Sequence, residues 1–500
     1  MSSGTPEEWT DVLVIGGGGA GLGAAIEARA LGREVILLEK EPKIGGTTAR
    51  SVGSISATNT PHQQSKGLKD CPRHHFEDMA LFARKWHQHS DNEKLREMLT
   101  AGVPDTLRWL MDMGLVFSGP SPEPPHRLPR MHNVLPRSEA YAYYVGRRAR
   151  SVGVDIRLQT RARRFLLEDA RVKGVLCDTP SGEKIFCARG GVVLASGDYT
   201  ANSELKLKYV SEPISRVNAV NPASTGDGYV MAGELGARIL NGDVLPFSMR
   251  FPPPPVKKLV NRFPPWRAVG LIMKWALENL PDRVMRPFVL DFLTTVLSPV
   301  NSILKQGAVL VNLRGERIGQ GNEDPAYALI DQPEQKGFLI FDQPLSKKFS
   351  AWPHFISTAP GIAYAYFDDY RRSRRDLYFK GQTVEELAAR IGLPVQPFAE
   401  SVRSTMSNPA GLVPLNTAPF HAFGPVTVLL TLSDGGLAVN ENLQILGNDD
   451  QPIGGLYGAG SVGQGGLLLE GHGHHIGWAF TSGRIAGRNA AYMVTSPPQV

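Results

Sequence analysis

The segment DVLVIGGGGAGLGAAIEARALGREVILLEK, residues 11–40, constrains the fold more than any other part of the chain. Its two apolar runs, glycine-rich turn and helical pattern predict a strand at 11–15, a helix at 22–31 and a strand at 35–38. The GxGxxG spacing of Gly16, Gly18 and Gly21 suits a tight turn, a pyrophosphate close to the backbone and a closely packed helix. The segment therefore predicts a dinucleotide-binding βαβ unit; the alternative is a glycine-rich turn without a ligand.

An acid and a polar loop follow this unit. Glu39 stands 18 residues after Gly21, where a carboxylate can accept hydrogen bonds from both hydroxyls of an adenosine ribose. The loop from Gly45 to Thr48 and the small residues from Ser51 to Ala57 would let backbone amides approach a large flat ligand closely.

Two later segments are buried strands that end in glycine. They are GGVVLASGDY, residues 190–199, and GGLYGAGSVGQGG, residues 454–466, the second followed by a helical pattern from Gly477. We therefore expect the two ends of the chain to share one nucleotide-binding domain, with other material inserted between them. The predicted cofactor-binding residues are Gly16, Gly18, Gly21, Glu39, Lys40, Gly45, Gly46, Thr47, Thr48, Ser51, Gly53, Ser196, Gly197, Asp227, Gly460 and Gly477.

Eight segments occur in the order found in one known family. Besides the GxGxxG turn they are LLEKEPKIGGTT, VVLASGDY, NPASTGDGYVMAGELGA, GAVLVNLRGERI, GGLAVNENLQIL, GLYGAGSV and GRIAGRNAA. In this order the chain resembles the fumarate reductase and succinate dehydrogenase flavoprotein superfamily, nearest to its 3-ketosteroid dehydrogenase branch. The resemblance implies an α/β fold, with a Rossmann-like FAD-binding domain at 1–295 and 425–500 and an inserted α+β capping domain at 296–424.

The resemblance also implies FAD as the cofactor. Members that attach the flavin covalently use a histidine in the loop after the second strand, and no histidine stands between Gly45 and Asn59. We therefore expect non-covalent FAD. The proline-rich segment 408–420 is the expected linker back to the FAD-binding domain.

The chain departs from the dicarboxylate-reducing members where these bind substrate. It has no histidine in NGDVLPFSMRFPPP, residues 241–254, or at Leu430 to Ser433, and Pro325 or Tyr327 replaces the catalytic arginine. In the last motif, His475 replaces an arginine. Because a buried dianion without guanidinium partners costs several kcal/mol per charge, the resemblance implies a small apolar carbonyl substrate, such as a 3-ketosteroid or cyclic ketone.

Candidate catalytic groups follow from the same resemblance. GNEDPAY, residues 321–327, is similar to an Asn-Glu-Ser-Ala-Pro-Tyr segment of the ketosteroid branch, which implies Tyr327 as the base. The backbone N–H that polarises the ketone in that branch falls on Gly473, but the branch's second tyrosine is absent. His472 or His475 could donate to the developing enolate. For Tyr327 the alternative is a buried aromatic whose hydroxyl caps a backbone group.

The histidines in LLLEGHGHHIGWAF, residues 467–480, also allow structural or metal-binding roles. No cysteine and no acid other than Glu470 is near them in sequence, and adjacent side chains on a helix diverge, so we expect no metal. The alternative to catalysis is a purely structural role for all three.

These patterns predict an FAD-dependent dehydrogenase that introduces a carbon–carbon double bond α,β to a carbonyl, by hydride transfer to flavin N5. The alternative is an ene-reductase on a substrate that is not a dicarboxylate, and a third hypothesis is a flavin-binding sensor or partner subunit. Either enzyme requires an external electron acceptor or donor. The residues leave the substrate, the direction and the oligomeric state open.

Bulk composition excludes other classes. The net charge of +6 on 500 residues is spread thinly and accompanies no nucleic-acid-binding motif. Three cysteines without metal-ligand spacing, and an N-terminus without a basic region, predict a cytoplasmic protein. The proline-rich, apolar and basic segment 251–300 could contact a membrane surface, form a dimer interface or cover the site, or could form ordinary packed helices.

Overall fold

The structure is a computed structural model that describes residues 7–255, 263–281, 284–286, 290, 293–295, 297–319, 324–359, 363–404 and 415–494. Its largest sheet has eight strands and joins the two ends of the chain. The strand Gly182–Leu194 lies between Glu7–Ile15 and Pro452–Gly458 and is parallel to both. On the other side of Glu7–Ile15, the parallel order continues through Val35–Leu38 to Asp155–Arg157. Gln444–Leu446 and the hairpin Arg161–Glu168 and Arg171–Thr179 complete this sheet.

Apolar runs place this sheet in the core. The four residues of Val35–Leu38 are all buried, as expected for a parallel strand that is covered on both faces. The helix Gly19–Ala30 packs against the long C-terminal helix His474–Tyr492. A Cβ at Gly483 would lie 2.2 Å from the carbonyl oxygen of Ala20, so the glycine permits this close approach. The predicted α/β architecture, with both ends of the chain in one sheet, is confirmed.

The second sheet has seven strands and is mainly antiparallel. Its long strand Phe420–Leu430 pairs with Asn218–Ala219, Phe247–Arg250, Lys336–Phe341 and Tyr378–Gly381. Val309–Asn312 and Arg317–Ile318 extend it beyond Lys336–Phe341. This sheet takes strands from both sides of residue 295, and its strand Phe420–Leu430 crosses residue 425. The predicted domain limits at 295 and 425 stay a prediction.

Shorter elements surround the two sheets. Three strands, Ser54–Ser56, Met131–Leu135 and Val116–Ser121, form a small antiparallel sheet. Two further pairs are Ile239–Leu240 with Gly436–Leu437, and Ser357–Ala359 with Ala363–Ala365. The other α-helices are Pro61–Ser65, Pro72–Phe82, Glu93–Asp112, Glu139–Ser151, Ser203–Tyr209, Glu212–Ser215, Asp227–Glu234, Arg267–Asn279, Ser302–Lys305, Pro325–Ile330, Gln343–Lys348, Phe367–Ser373, Val384–Ile391 and Val395–Arg403. Short 3₁₀ turns occur at Thr48–Arg50, Ala83–Trp86, Pro333–Gln335 and Gly460–Gly463.

The segment 251–300 is only partly described. Its helix Arg267–Asn279 leaves Ile272 and Trp275 exposed. Lys257, Lys258 and Arg262 lie outside the described residues, as does 408–414 of the expected linker. Among the described helices, none is both long and apolar enough to cross a membrane. Peripheral membrane contact through 251–300 stays a prediction.

Candidate active site

A cleft opens at the carboxyl ends of the central parallel strands, where open α/β sheets bind their ligands. Among the predicted cofactor-binding residues, those that line the cleft are Gly16, Gly18, Glu39, Lys40, Gly46, Thr47, Thr48, Ser196, Gly197, Asp227 and Gly460. The predicted residues that do not line it are Gly21, Gly45, Ser51, Gly53 and Gly477. Arg161 and Asn221, which the sequence analysis did not select, also line it.

The three motif glycines serve different purposes at the cleft. A Cβ at Gly21 would lie 1.8 Å from the carbonyl oxygen of Gly16, so the helix can pack here only on glycine. Gly16 has a φ of +111°, in the region that favours glycine. Around Gly18, a Cβ would meet no atom within 4 Å and would point into open space. A phosphate can therefore approach the backbone at Gly18.

Charged groups also line the cleft. The Glu39 carboxylate accepts hydrogen bonds from the N–H groups of Gly17, at 2.7 Å, and Glu41, at 2.8 Å. Burial raises the pKa of Glu39, and these two bonds oppose the rise. Asp227 pairs with Lys40 at 3.0 Å and with Arg161 at 2.9 Å. Burial acts to raise the pKa of Asp227, but both cations outweigh it and lower the pKa.

The cleft fits a dinucleotide. The Ser196 hydroxyl lines it and is buried without a hydrogen-bond partner in the described chain, so it is available to a ligand. Open space at Gly18 and the buried Glu39 carboxylate match the requirements of a pyrophosphate and a ribose. FAD would therefore be held by the glycine turn, by Glu39 and by the 46–48 loop.

The histidine-rich turn lies beside this cleft. Gly473, with a φ of +94°, precedes the helix His474–Tyr492. A Cβ at Gly473 would lie 2.5 Å from the backbone nitrogen of Ser56, so the turn packs directly on the strand Ser54–Ser56. The Ser56 hydroxyl donates to the carbonyl oxygen of His472 at 2.7 Å. Because that strand follows the cofactor loop, the turn is held next to the predicted flavin site.

The three histidines of the turn, His472, His474 and His475, have different surroundings. Nδ1 of His472 lies 2.5 Å from Oε1 of Glu123, which also accepts from the His472 backbone N–H at 2.9 Å. Nε2 of His475 lies 3.1 Å from Oδ1 of Asp434. The third side chain, His474, is fully buried and points into the protein. The expected divergence of His474 and His475 is therefore observed.

The acidic partners correct the sequence analysis. Only Glu470 was expected near the histidines, yet Glu123 and Asp434 contact them from distant parts of the chain. The Glu470 carboxylate instead pairs with Lys85 at 2.8 Å. The hydrogen bond to Glu123 raises the pKa of His472, which burial and Arg250 act to lower.

Both acids near His475 are buried. Burial acts to raise the pKa of Asp434, but the charge and hydrogen bond of His475 outweigh it and lower the pKa. Burial raises the pKa of Asp198, against an opposing effect from the same histidine. His475 therefore lies within electrostatic range of two buried carboxyl groups.

Arg250 supplies a cation that the sequence analysis overlooked. It ends the strand Phe247–Arg250, in the register position opposite Thr427. Its charge acts on the pKa of His472, which places the guanidinium within electrostatic range of the turn. The segment 241–254 contains no histidine, and its one cation, Arg250, lies within electrostatic range of the turn.

Tyr327 lies on the helix Pro325–Ile330, which begins at the capping residue Asp324. Its side chain is 37% exposed, and its ring centroid is 6.3 Å from that of Phe247. Within the described chain, no hydrogen bond or ring contact joins Tyr327 to the histidine-rich turn. Residues 321–323 of its predicted motif lie outside the described residues. The catalytic role of Tyr327 stays a prediction.

A family match defines the class of this protein. The FAD binding domain model matches residues 11–468, and the chain belongs to this family. The protein is an FAD-dependent oxidoreductase of the class that acts on CH–CH bonds. FAD as the cofactor is confirmed, whereas its non-covalent binding stays a prediction.

Two known proteins are similar to this chain over most of its length. The chain is 27% identical over 510 residues to a probable fumarate reductase of Shewanella frigidimarina, covering 97% of this chain and 75% of that protein. It is 24% identical over 470 residues to an NADH:fumarate oxidoreductase of Klebsiella pneumoniae, covering 90% of this chain but only 44% of that protein.

Solved structures share the fold. The open conformation of a flavocytochrome c3 fumarate reductase matches with a TM-score of 0.74 and 25% identity, over 98% of this chain and 79% of that one. A 3-ketosteroid-Δ4-(5α)-dehydrogenase from Rhodococcus jostii matches with a TM-score of 0.61 and 21% identity, over 98% of both chains. The predicted superfamily is confirmed.

Proposed function

We propose that the protein is an ene-reductase that reduces a carbon–carbon double bond conjugated to a carbonyl or carboxylate group. The observation that carries this proposal is the pairing of His472 with Glu123 at the turn beside the FAD cleft, within electrostatic range of Arg250. A guanidinium binds the oxygen of such a substrate, and an imidazole that retains its proton at higher pH suits proton donation.

The roles of the side chains follow from their environments. Arg250 and the N–H of Gly473 would hold the substrate oxygen, where negative charge develops as the double bond is reduced. His472 would deliver a proton to the α-carbon, because its hydrogen bond to Glu123 raises its pKa. Reduced FAD, when bound, would supply the hydride for the β-carbon. An external electron donor must then restore reduced FAD.

Among the described residues, Arg250 is the arginine whose charge acts on His472. A single guanidinium favours a substrate with one oxygen-bearing pole over a dicarboxylate. A second carboxylate would need its own cationic partner, since an unpaired buried charge costs several kcal/mol. The fumarate reductases named above share the chemistry that we propose, and we expect the substrate of this chain to be an enone or a monocarboxylic enoate.

The reverse reaction is a second candidate. Here Tyr327 would be the base in the dehydrogenation of an apolar ketone, such as a 3-ketosteroid or cyclic ketone. The contact of its ring with Phe247, on the strand that ends in Arg250, favours this candidate. The ring of Tyr327 therefore lies beside the strand Phe247–Arg250.

Anaerobic spectroscopy tests both directions. Dithionite-reduced protein is mixed with cyclic enones, monocarboxylic enoates and fumarate, and oxidised protein is mixed with 3-ketosteroids and cyclic ketones. Rapid reoxidation by an enone or monoenoate supports the ene-reductase. Bleaching by a ketone, lost in Tyr327→Phe, would instead support the dehydrogenase. No reaction in either direction would contradict both and favour a flavin-binding sensor or partner subunit.

A further inference from the structure

Three buried histidines form a second group behind the turn. His75 comes from the helix Pro72–Phe82, His126 from the segment before Met131–Leu135, and His474 from the first position of the C-terminal helix. Each offers a ring nitrogen, and these three atoms lie within 4.8 Å of one another. We call these residues the three-histidine cluster.

We propose that the three-histidine cluster binds a divalent transition-metal ion, with zinc as the best fit. Nε2 of His75 and Nε2 of His474 are 3.2 Å apart. Two nitrogens that each lie about 2.05 Å from a tetrahedral zinc ion are separated by about 3.3 Å. The two imidazoles therefore already have the spacing of two ligands on one zinc ion. This inference is independent of the proposed reaction.

The hydrogen bonding of His474 suits a metal ligand. A metal is bound by the lone pair of a neutral imidazole. Nδ1 of His474 lies 2.6 Å from the carbonyl oxygen of Glu470 and donates to it, which leaves Nε2 as the ligand atom. Such a bond to a backbone carbonyl commonly orients a metal-bound histidine.

Unpaired nitrogens in the cluster provide a second observation. In the described chain, Nδ1 of His75 and Nε2 of His126 are buried without a hydrogen-bond partner. Burying such polar atoms unpaired is unfavourable. A metal bound by Nε2 of His126 would satisfy that nitrogen, whereas His75 would bind through Nε2 and not through its unpaired Nδ1. The Glu123 carboxylate pairs with His472, two residues before His474, so a negative charge lies near the cluster.

Arg130 bonds to the other nitrogen of His126. It donates from Nη1 to Nδ1 of His126 at 2.9 Å, which leaves Nε2 as the ligand atom of that ring. The same Nη1 also donates to Asp78, and Asp70 accepts two further bonds from the guanidinium. Both carboxylates therefore neutralise the guanidinium beside the proposed ion.

The proposed ion would have a structural role. It would join three segments that are distant in sequence and fix the first turn of the C-terminal helix. The histidine-rich turn immediately precedes that helix, so metal binding would stabilise the turn against the helix Pro72–Phe82.

Metal content and cobalt spectroscopy test the proposal on the FAD-loaded protein. We expect purified protein to contain about one zinc ion per chain. After chelation and dialysis, added Co²⁺ should give ligand-field bands at wavelengths beyond the flavin absorption. His75→Gln and His126→Gln should each weaken Co²⁺ binding at least about 10-fold, the lower end of the loss seen when support for a metal ligand is removed. His89→Gln, at a histidine that pairs with Asp243 outside the cluster, should leave binding unchanged.

Retained flavin absorbance and an unchanged melting temperature of the metal-free variants will show that they are folded. If a variant does not fold, Co²⁺ titration of the wild-type protein decides alone. Absence of zinc together with absence of ligand-field bands would overturn the proposal and leave a hydrogen-bonded histidine chain. Equal Co²⁺ binding by the wild type and both cluster variants would overturn it as well.

Discussion

The FAD cleft and the histidine-rich turn lie side by side but are built in different ways. The glycine turn, Glu39 and the 46–48 loop of the cleft all come from one continuous segment, Gly16 to Thr48. At the turn, His472 depends on Glu123, which is 349 residues away in the chain. The comparison shows that this part of the cleft comes from residues close together in sequence, whereas the contacts of the histidine-rich turn join distant segments.

The largest effect is expected at Gly21, where the cleft depends on one close contact. Gly21→Ala places a Cβ 1.8 Å from the carbonyl oxygen of Gly16 and must displace the helix or the turn. We expect loss of bound FAD and destabilisation of about 3 kcal/mol or more. Flavin absorbance and thermal unfolding measure both. Gly233→Ala, in a helix with open space around it, is the control and should fold normally.

A smaller effect is expected at Arg250, on the substrate side. Arg250→Met should lower kcat/KM for the best enone or enoate by about 30- to 150-fold, because a hydrogen bond to a charged group contributes about 2–3 kcal/mol. FAD content should not change. Arg317→Met removes another arginine of the same sheet and is the matched control. Equal losses in both variants would refute a specific role for Arg250.

Glu123 should control the pH dependence. The hydrogen bond to Glu123 raises the pKa of His472, so His472 stays protonated to a pH above its ordinary value of 6.5. Proton donation should then be lost only as the pH rises through that raised pKa. In Glu123→Gln the pKa falls, and the alkaline limb of kcat against pH should move to lower pH. An unmoved limb would exclude His472 as the proton donor.

The smallest effect is expected at Tyr327. If the protein is an ene-reductase with His472 as the acid, Tyr327→Phe should change kcat by less than about 5-fold, under 1 kcal/mol. Stopped-flow reoxidation of the reduced flavin measures it. A loss of about 100-fold or more would transfer the acid–base role to the tyrosine and favour the ketone dehydrogenase.

Sequence and structure agree best where neighbours in the chain act together. The second strand, Val35–Leu38, has its predicted limits, whereas the first begins at Glu7, four residues before the predicted Asp11. Helix Gly19–Ala30 begins three residues before the predicted Leu22 because small glycines and alanines carry little periodic pattern. Strand ends depend on pairing partners, which a local pattern does not reveal.

Glu123 and Asp434 were not predicted as site residues, for one shared physical reason. Glu123 lies among prolines, and Asp434 lies between a serine and a glycine, so each is typical of a surface turn by composition. Both are nevertheless buried against histidines. The sequence contains one signal for Arg250: it is the only cation in residues 241–254, the segment where related proteins bind substrate.

The sequence by itself determined the βαβ unit, the FAD cleft and the family, because those features depend on glycines and strands with fixed spacing. Only the tertiary structure decided which groups surround the histidine-rich turn. Burial made Glu123 and Asp434 partners of His472 and His475, and packing of three distant segments brought His75, His126 and His474 together. Both kinds of contact depend on distances in space, which the spacing of residues along the chain does not specify.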